Sequence, residues 1–163
     1  MNGNTDPDSW GVTPQKANKN WDAVLCKWNA NGYRMPTEAE WEYAARGGDQ
    51  SKNYKFSGSD DYLKVAWMEE NSGAELHEVG KKQANELGLH DMSGNLYEWC
   101  WDWYGKYPDS ALTNPPGPLT GTFRVERGGG WDRGGNALKV DSRYFFNPQT
   151  SYGGIGIRIA RTP

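Results

Sequence analysis

The sequence has few cysteines, few histidines and no long apolar run, and each of these shortages excludes a class of protein. Its two cysteines, Cys26 and Cys100, cannot form a disulfide framework. They could form one bridge, but their apolar and aromatic neighbours favour two buried thiols. No apolar run approaches the ~20 residues of a membrane-spanning helix, so we predict no membrane span. The net charge of −3 argues against nucleic-acid binding, which depends on neutralising phosphates.

Aromatic residues and glycine are abundant instead, with 9 Trp, 9 Tyr and 21 Gly among 163 residues. Disordered chains lack aromatic residues, whereas a chain of this length can bury a substantial core. We therefore predict one monomeric domain over residues 1–163, with an irregular segment at 1–19. No signal peptide is visible, so the compartment stays open. A cell-surface or extracellular location is favoured if an export signal precedes Met1 in the native protein.

Local patterns predict two helices. Apolar residues recur at helical spacing in residues 20–29. In the second segment Thr37 and Glu40 form a capping box, in which each side chain accepts the backbone N–H of the other residue. The pair Gly47 and Gly48 ends that helix, because glycine readily adopts the left-handed conformation after the last turn.

A third pattern, in residues 97–104, predicts a strand with one aromatic face, because aromatic residues alternate there with other residues. A sugar-stacking platform is one interpretation of this face, but we expect its tryptophans to pack in the core: Trp99, Trp101 and Trp103. Residues 123–127 and 155–159 are further candidate strands. Residues 105–121 contain four prolines and are expected to lack regular structure.

Four segments in a fixed order carry a resemblance to a known family. They are YRMPTEAEWEYAARGG (33–48), NELGLHDMSGNLYEWCWDWY (85–104), RVERGGGW (124–131) and GIGIRIAR (154–161). Together they resemble the formylglycine-generating-enzyme, or sulfatase-modifying factor, family, and the likeness spans about residues 20–161. It implies an α+β, C-type lectin-like fold, with small twisted antiparallel sheets, two helices and much loop.

The same resemblance implies lost catalysis. Catalytic members oxidise a substrate cysteine through a copper-binding cysteine pair just after the third motif. The matching stretch, residues 131–143, has no cysteine, and a thiolate is what binds cuprous ion. We therefore expect no copper and no enzymatic activity, and we expect His77 and His90 to be ordinary loop histidines. An enzyme with altered or lost chemistry and a structural accessory domain stay open as alternatives.

The family's calcium site also has a match in this chain. The resemblance places a structural calcium ion at Asp91, Gly94, Leu96 and Glu98, with Gly94 and Leu96 as carbonyl ligands. Calcium prefers such a combination of carboxylate and carbonyl oxygens. The alternative is that the two carboxylates only accept hydrogen bonds from turn amides.

Residues 132–154 show a further pattern. Fifteen of them can be reached from an asparagine codon by changing its adenines, although Lys139 and Gln149 cannot. This pattern resembles the variable region of proteins diversified by retroelements, and Tyr, Phe, Ser, Asn and Gly are also typical of antibody paratopes. An ordinary fixed loop is the alternative. We predict a surface for a protein or glycan ligand, formed by Trp131, Asp132, Arg133, Asn136, Ser142, Tyr144, Phe145, Phe146, Asn147, Ser151 and Tyr152.

Overall fold

A computed structural model of the chain describes residues 24–162. The predicted irregular segment 1–19 lies outside these residues, as does the first part of the predicted helix 20–29; residues 24–29 of that helix form coil and a turn, so the prediction is wrong there. By its contacts the chain divides into two compact units. The larger one comprises Met35–Ala160, and the smaller one comprises the two ends of the chain, up to Arg34 and from Arg161 onward. The single domain stays a prediction.

The unit formed by the chain ends contains a small two-stranded sheet, in which β1 (Gly32–Arg34) pairs with β6 (Ala160–Thr162). The guanidinium of Arg161 lies 5.7 Å from the ring centre of Tyr33. Such cation–π contacts hold long side chains over neighbouring rings at a partly exposed edge.

The larger unit is built on a four-stranded sheet with the order β4-β3-β2-β5. Its strands are β2 (Tyr97–Trp103), β3 (Arg124–Arg127), β4 (Tyr144–Phe146) and β5 (Ile155–Ile157). The pairs β2–β3 and β3–β4 are antiparallel, but β5 runs parallel to β2. The predicted α+β class is confirmed, with the correction that the sheets are not wholly antiparallel.

Helix α1 (Glu38–Ala45) begins where the capping box predicted. Glu40 N–H donates to Thr37 Oγ1 over 3.1 Å, and Thr37 N–H donates to Glu40 Oε2 over 2.8 Å. Gly47 follows the helix at φ 89°, in the left-handed region. A second, short helix, α2 (Tyr62–Val65), is capped by Asp61, which accepts the Leu63 N–H.

The core of this unit lies in two clusters of buried side chains. One packs under α1 and contains Trp41, Ala45, Met92, Cys100, Val125 and Val140. The other lies beside α2 and contains Phe56, Val65, Ala66, Met68, Ala137 and Leu138. Cys100 and Cys26 form no disulfide; Cys100 is buried as predicted, whereas Cys26 is only half-buried. No helix in the described part of the chain is long and apolar enough to cross a membrane.

Strand β2 turns its aromatic face away from this core, contrary to our prediction. Its other face is buried against α1: Trp41 Nε1 donates to Glu98 Oε2 over 2.7 Å, and Glu38 N–H donates to Asp102 Oδ2 over 2.7 Å. Because side chains alternate along a strand, the tryptophans must point to the opposite side, where they are half-buried: Trp99, Trp101 and Trp103. We call this side of the sheet, opposite α1, the outer face.

Candidate ligand-binding face

Strand β4 divides the predicted binding aromatics between the two sides of the sheet. In the register of β3 and β4, Tyr144 lies opposite Glu126, and Phe145 lies opposite the core residue Val125. Tyr144 and Phe146 therefore project from the outer face, and Phe145 projects from the core side. At that edge of the core, Phe145 packs against Tyr104, with ring centres 4.3 Å apart, and remains 45% exposed.

On the outer face two contacting pairs of rings, with Arg133 and Glu126 beside them, form what we call the outer-face cluster. The rings of Tyr144 and Tyr97 meet edge to face, with centres 5.4 Å apart and planes at 70°. Those of Phe146 and Tyr152 lie 4.6 Å apart. The guanidinium of Arg133 lies 5.8 Å from the Tyr97 ring centre. Aromatic contacts of this kind fix ring positions before any ligand arrives, which reduces the entropy cost of binding.

A buried carboxylate lies in the middle of this cluster. Glu126 is 5% exposed, and its Oε2 accepts the hydroxyl proton of Tyr152 over 2.9 Å. Burial raises the pKa of Glu126, while the Tyr152 hydrogen bond and the Arg133 charge oppose that rise. Burial and the Glu126 carboxylate raise the pKa of Tyr152, and burial raises the pKa of Tyr97 to about 12. At neutral pH the face therefore presents protonated tyrosine hydroxyls around an acidic acceptor.

The loop residues of the predicted surface are less closely connected. Asp132 and Arg133 are exposed and form an ion pair at 3.5 Å. The hydroxyl of Ser142 donates to the Asn136 carbonyl over 2.7 Å, which ties the 3-10 turn Gly135–Leu138 to the start of β4. Asn147 accepts the Gln149 N–H over 3.0 Å in the turn after β4, and Ser151 is exposed.

Trp131 links this loop to the scaffold. Its backbone N–H donates to the Asn95 carbonyl over 2.8 Å, and its carbonyl accepts the Ser72 hydroxyl over 3.0 Å. Among the described residues, its buried indole N–H has no hydrogen-bond acceptor. Trp131 is half-buried, so it acts mainly as the anchor from which the exposed residues 132–134 extend.

Two residues of the outer-face cluster were missed from the sequence: Tyr97 and Glu126. Both lie in segments that carry the family resemblance, Tyr97 in NLYEW and Glu126 in RVERGGGW, and not in the stretch with the codon pattern. The missed signal was alternation within β3, because Val125 and Arg127 are buried on the core side and Glu126 must point away from them. The register of β3 with β4 then places Glu126 beside Tyr144.

The predicted calcium ligands fit a cation only in part. Asp91 is 8% exposed; its Oδ2 accepts the Gly80 N–H over 2.7 Å, and its buried Oδ1 has no partner among the described residues. The negative charge of Glu98 is already paired with Arg158, because its two oxygens accept hydrogen bonds from the Arg158 guanidinium over 2.7 and 2.8 Å. Among the described residues, no three His, Cys, Asp or Glu side chains are placed to hold a metal ion.

Comparison with known proteins identifies the family. The profile of the sulfatase-modifying factor enzyme 1-like domain matches residues 10–163. The chain belongs to this family. It is 35% identical over 175 residues to the chaperone protein LppX of Paenibacillus barcinonensis, covering 97% of the chain and 58% of that protein. It is also 35% identical over 149 residues to the formylglycine-generating enzyme of Streptomyces coelicolor, covering 79% of the chain and 46% of the enzyme.

Among solved structures, the chain is similar to variable protein 1 of Treponema denticola. The TM-score is 0.85 at 39% identity, and the match covers 92% of this chain and 55% of that protein. The resemblance to a sulfatase-modifying-factor domain with a C-type lectin-like fold is thereby confirmed. The chain spans about half the length of these relatives, 58% and 46% of the two proteins compared by sequence and 55% of the Treponema protein.

Proposed function

We propose that this sulfatase-modifying-factor domain is a non-catalytic binding module, whose outer face holds a protein or glycan ligand and is diversified by a retroelement. One observation carries the proposal: Tyr144, Phe146 and Tyr152 belong to the set of residues reachable from asparagine codons, and all three lie in the outer-face cluster, where Tyr144 contacts Tyr97 and Phe146 contacts Tyr152. The likeness to a protein named variable protein 1 supports the same proposal.

The cysteines support the non-catalytic part of the proposal. Cys100 is fully buried in the core under α1, and burial raises the pKa of its thiol well above the ordinary value. A buried neutral thiol is a poor metal ligand and a poor nucleophile. The only other cysteine, Cys26, belongs to the unit formed by the chain ends, and neither lies in the stretch after the GGGW motif.

The ligand chemistry follows from the composition of the face. Tyrosine and phenylalanine rings supply contact area at little entropic cost, and the exposed Asp132, Arg133 and Ser151 supply adaptable hydrogen bonds around them. Tyr144 and Phe146 lie on the edge strand β4 of a packed sheet, and each already contacts a second ring. Changing these side chains therefore alters recognition without disturbing the core side of the sheet.

Population sequencing tests the proposal. We expect DNA across codons 124–161 from many isolates to show substitutions at adenine positions of the outer-face codons, such as Tyr144, Phe146 and Tyr152. Codons of buried residues in the same window, Leu138 and Val140, serve as the matched control and should be invariant. The flanking locus should contain a reverse transcriptase and a near-identical template repeat.

The outcomes of that experiment separate the alternatives. Invariance of the outer-face codons would show a surface for one fixed ligand and would contradict diversification. Substitutions spread equally over buried and outward codons would contradict the structural basis of the proposal. Natural variants should keep melting temperatures close to that of this chain, because outward side chains add little to core packing.

We also propose a weak structural calcium site centred on Asp91, with the carbonyl oxygens of Gly94 and Leu96. Only one carboxylate is available there, because Arg158 neutralises Glu98, and few charged ligands give weak calcium affinity. With a dissociation constant of about 1 mM, calcium at about 10 mM is expected to raise the melting temperature by about 3 °C. The effect is measured by thermal unfolding against a chelator.

Magnesium is the matched control for that measurement and should have a much smaller effect, since it demands a near-ideal octahedral site. The variant Asp91→Asn should lose the calcium response. A wild-type melting temperature that ignores calcium, or a response that survives in Asp91→Asn, would remove the site from the proposal.

A further inference from the structure

A cleft of about 640 Å³ lies between α1 and the proline-rich segment 105–118. Four prolines of this segment form much of its wall, together with Tyr43, Tyr107 and Leu112. The cleft lies on the α1 side of the sheet, so it is separate from the outer face. Its size and its mostly apolar wall are typical of sites for small organic ligands.

One acid on the floor of the cleft lacks an ionic partner. Asp102 is 4% exposed and accepts the Glu38 N–H at Oδ2 over 2.7 Å, but it forms no ion pair with any described residue. The other charged side chains of the cleft are paired: Glu38 with Arg143 at 2.7 Å, Glu42 with Arg46 at 2.8 Å, and Lys106 with Asp109 at 2.9 Å. The charge that the cleft can still accept is therefore positive.

Gly117 lies against the second oxygen of this acid, in a close approach that only glycine allows. Its φ of +74° lies in the left-handed region, and a Cβ there would sit 2.8 Å from Asp102 Oδ1. Any other residue at 117 would place its side chain against the carboxylate. Gly117 and Asp102 both line the cleft, so a side chain at 117 would fill space beside the carboxylate.

Two tyrosine rings line the same cleft as this carboxylate. Tyr107 donates its hydroxyl proton to Glu38 over 3.0 Å, and its ring already stacks with the Arg143 guanidinium at 4.1 Å. Tyr43 is 54% exposed on the α1 side of the cleft. Ring faces attract organic cations, and the attraction grows as water is excluded.

We infer that the cleft binds a small organic ammonium ion, whose nitrogen donates to Asp102 and whose apolar body packs against the tyrosine and proline rings. A buried carboxylate in an apolar cleft gains most from a ligand that brings both the opposite charge and apolar surface. Anionic ligands are disfavoured, because every cation of the cleft already has a partner.

The binding should depend on pH in a defined way. Burial raises the pKa of Asp102 to about 6; Glu38 on α1 adds to the rise, while Arg143 opposes it. Arg124 on β3 is the other charged group that interacts with this carboxylate. Asp102 loses its charge as the pH falls through about 6, so the affinity for an ammonium ion should be about tenfold weaker at pH 5 than at pH 7.5.

Titration of the intact chain with phenethylamine, followed by amide NMR shifts, tests the inference. We expect shifts at the amides of Gly105, Tyr107 and Gly117, with a dissociation constant of about 1 mM at pH 7.5. Phenethyl alcohol has the same shape without the charge, and it should bind at least about tenfold more weakly. Asp102→Asn should weaken the binding of phenethylamine by a similar factor. The variant should keep the fold, because the asparagine oxygen can still accept the Glu38 N–H.

Asp109→Asn is the matched control, since it removes an exposed acid from the same segment and should leave the affinity unchanged. Equal binding of the amine and the alcohol, or full affinity in a folded Asp102→Asn, would overturn the inference. So would shifts confined to residues outside the cleft, or no shifts at all. None of these results bears on the outer face, so the proposed function is tested separately.

Discussion

Replacing Arg127 with alanine is expected to lower the free energy of unfolding by about 3–5 kcal/mol, because it leaves buried charges without a partner. Arg127 is 0% exposed. Its guanidinium pairs with Glu42, lies 3.4 Å from Glu38 Oε1, and donates to the Val140 carbonyl over 3.0 Å and to the Ser142 carbonyl. One side chain thus joins α1, β3 and the segment that leads into β4.

Arg46→Ala is the matched control for this prediction. Arg46 pairs with the same Glu42 at 2.8 Å, but its side chain is 41% exposed and lies one helical turn away. Solvent screens such a pair, so its loss should cost only about 0.3–0.5 kcal/mol. Chemical denaturation of both variants measures the difference. Similar losses of unfolding free energy in Arg46→Ala and Arg127→Ala would show that burial does not set the strength of this network.

The Arg127 network also bears on function, because it fixes the residues just before β4. Val140 and Ser142 lie four and two residues before Tyr144, and their carbonyls accept hydrogen bonds from Arg127. A loosened connection there would let β4 fray, and Tyr144 and Phe146 would lose their places on the outer face. We therefore regard Arg127 as a positioning residue for the proposed binding face.

Features encoded by neighbouring residues could be predicted from the sequence. The capping box of Thr37 and Glu40 and the stop at Gly47 placed α1 correctly, because each of these signals acts within one turn of helix. The aromatic alternation placed β2 correctly for a similar reason, since strand geometry has a period of two. The long family motifs then supplied the fold, which the comparisons confirm.

Features set by distant partners could not be predicted in this way. Alternation shows that β2 has two faces, but not which face is buried. The answer depends on Trp41 and Glu38, which lie 57 and 64 residues before the acids that they contact, Glu98 and Asp102. Because these acids accept hydrogen bonds on the buried side of β2, the tryptophans lie on the outer face. A rule that buries the more apolar face therefore fails here, because the buried acids have hydrogen-bond partners.

The candidate face shows the same limit. Codon composition groups Phe145 with Tyr144 and Phe146, because it contains no information about pleating. The pairing of β3 with β4 separates them and brings in Glu126 from a scaffold motif. A strand predicted over Tyr144–Phe146 would have been enough to separate these side chains. No such prediction follows from the sequence, because the strand is only three residues long and lies in a region rich in glycine and asparagine.

Gly94→Ala is expected to lower the free energy of unfolding by about 3 kcal/mol or more, because the position combines backbone strain with a backbone clash. Gly94 has φ +82°, and a Cβ there would lie 2.3 Å from the Trp67 carbonyl oxygen. Its own N–H donates to the Gly128 carbonyl over 2.8 Å, so the turn cannot move away without breaking that bond.

Gly73→Ala separates the two causes of that loss. Gly73 has φ +65°, but a Cβ there would have no neighbour within 4 Å. Gly73→Ala should therefore lower the free energy of unfolding only by the strain of the left-handed conformation, about 1–2 kcal/mol. The difference between the two variants in chemical denaturation then measures the close approach at Gly94. The next residue, Asn95, accepts the Trp131 N–H, so this turn also anchors the loop that bears Asp132 and Arg133. Equal losses for the two variants would show that the turn yields, and that the scaffold beneath the candidate face is softer than its hydrogen bonds indicate.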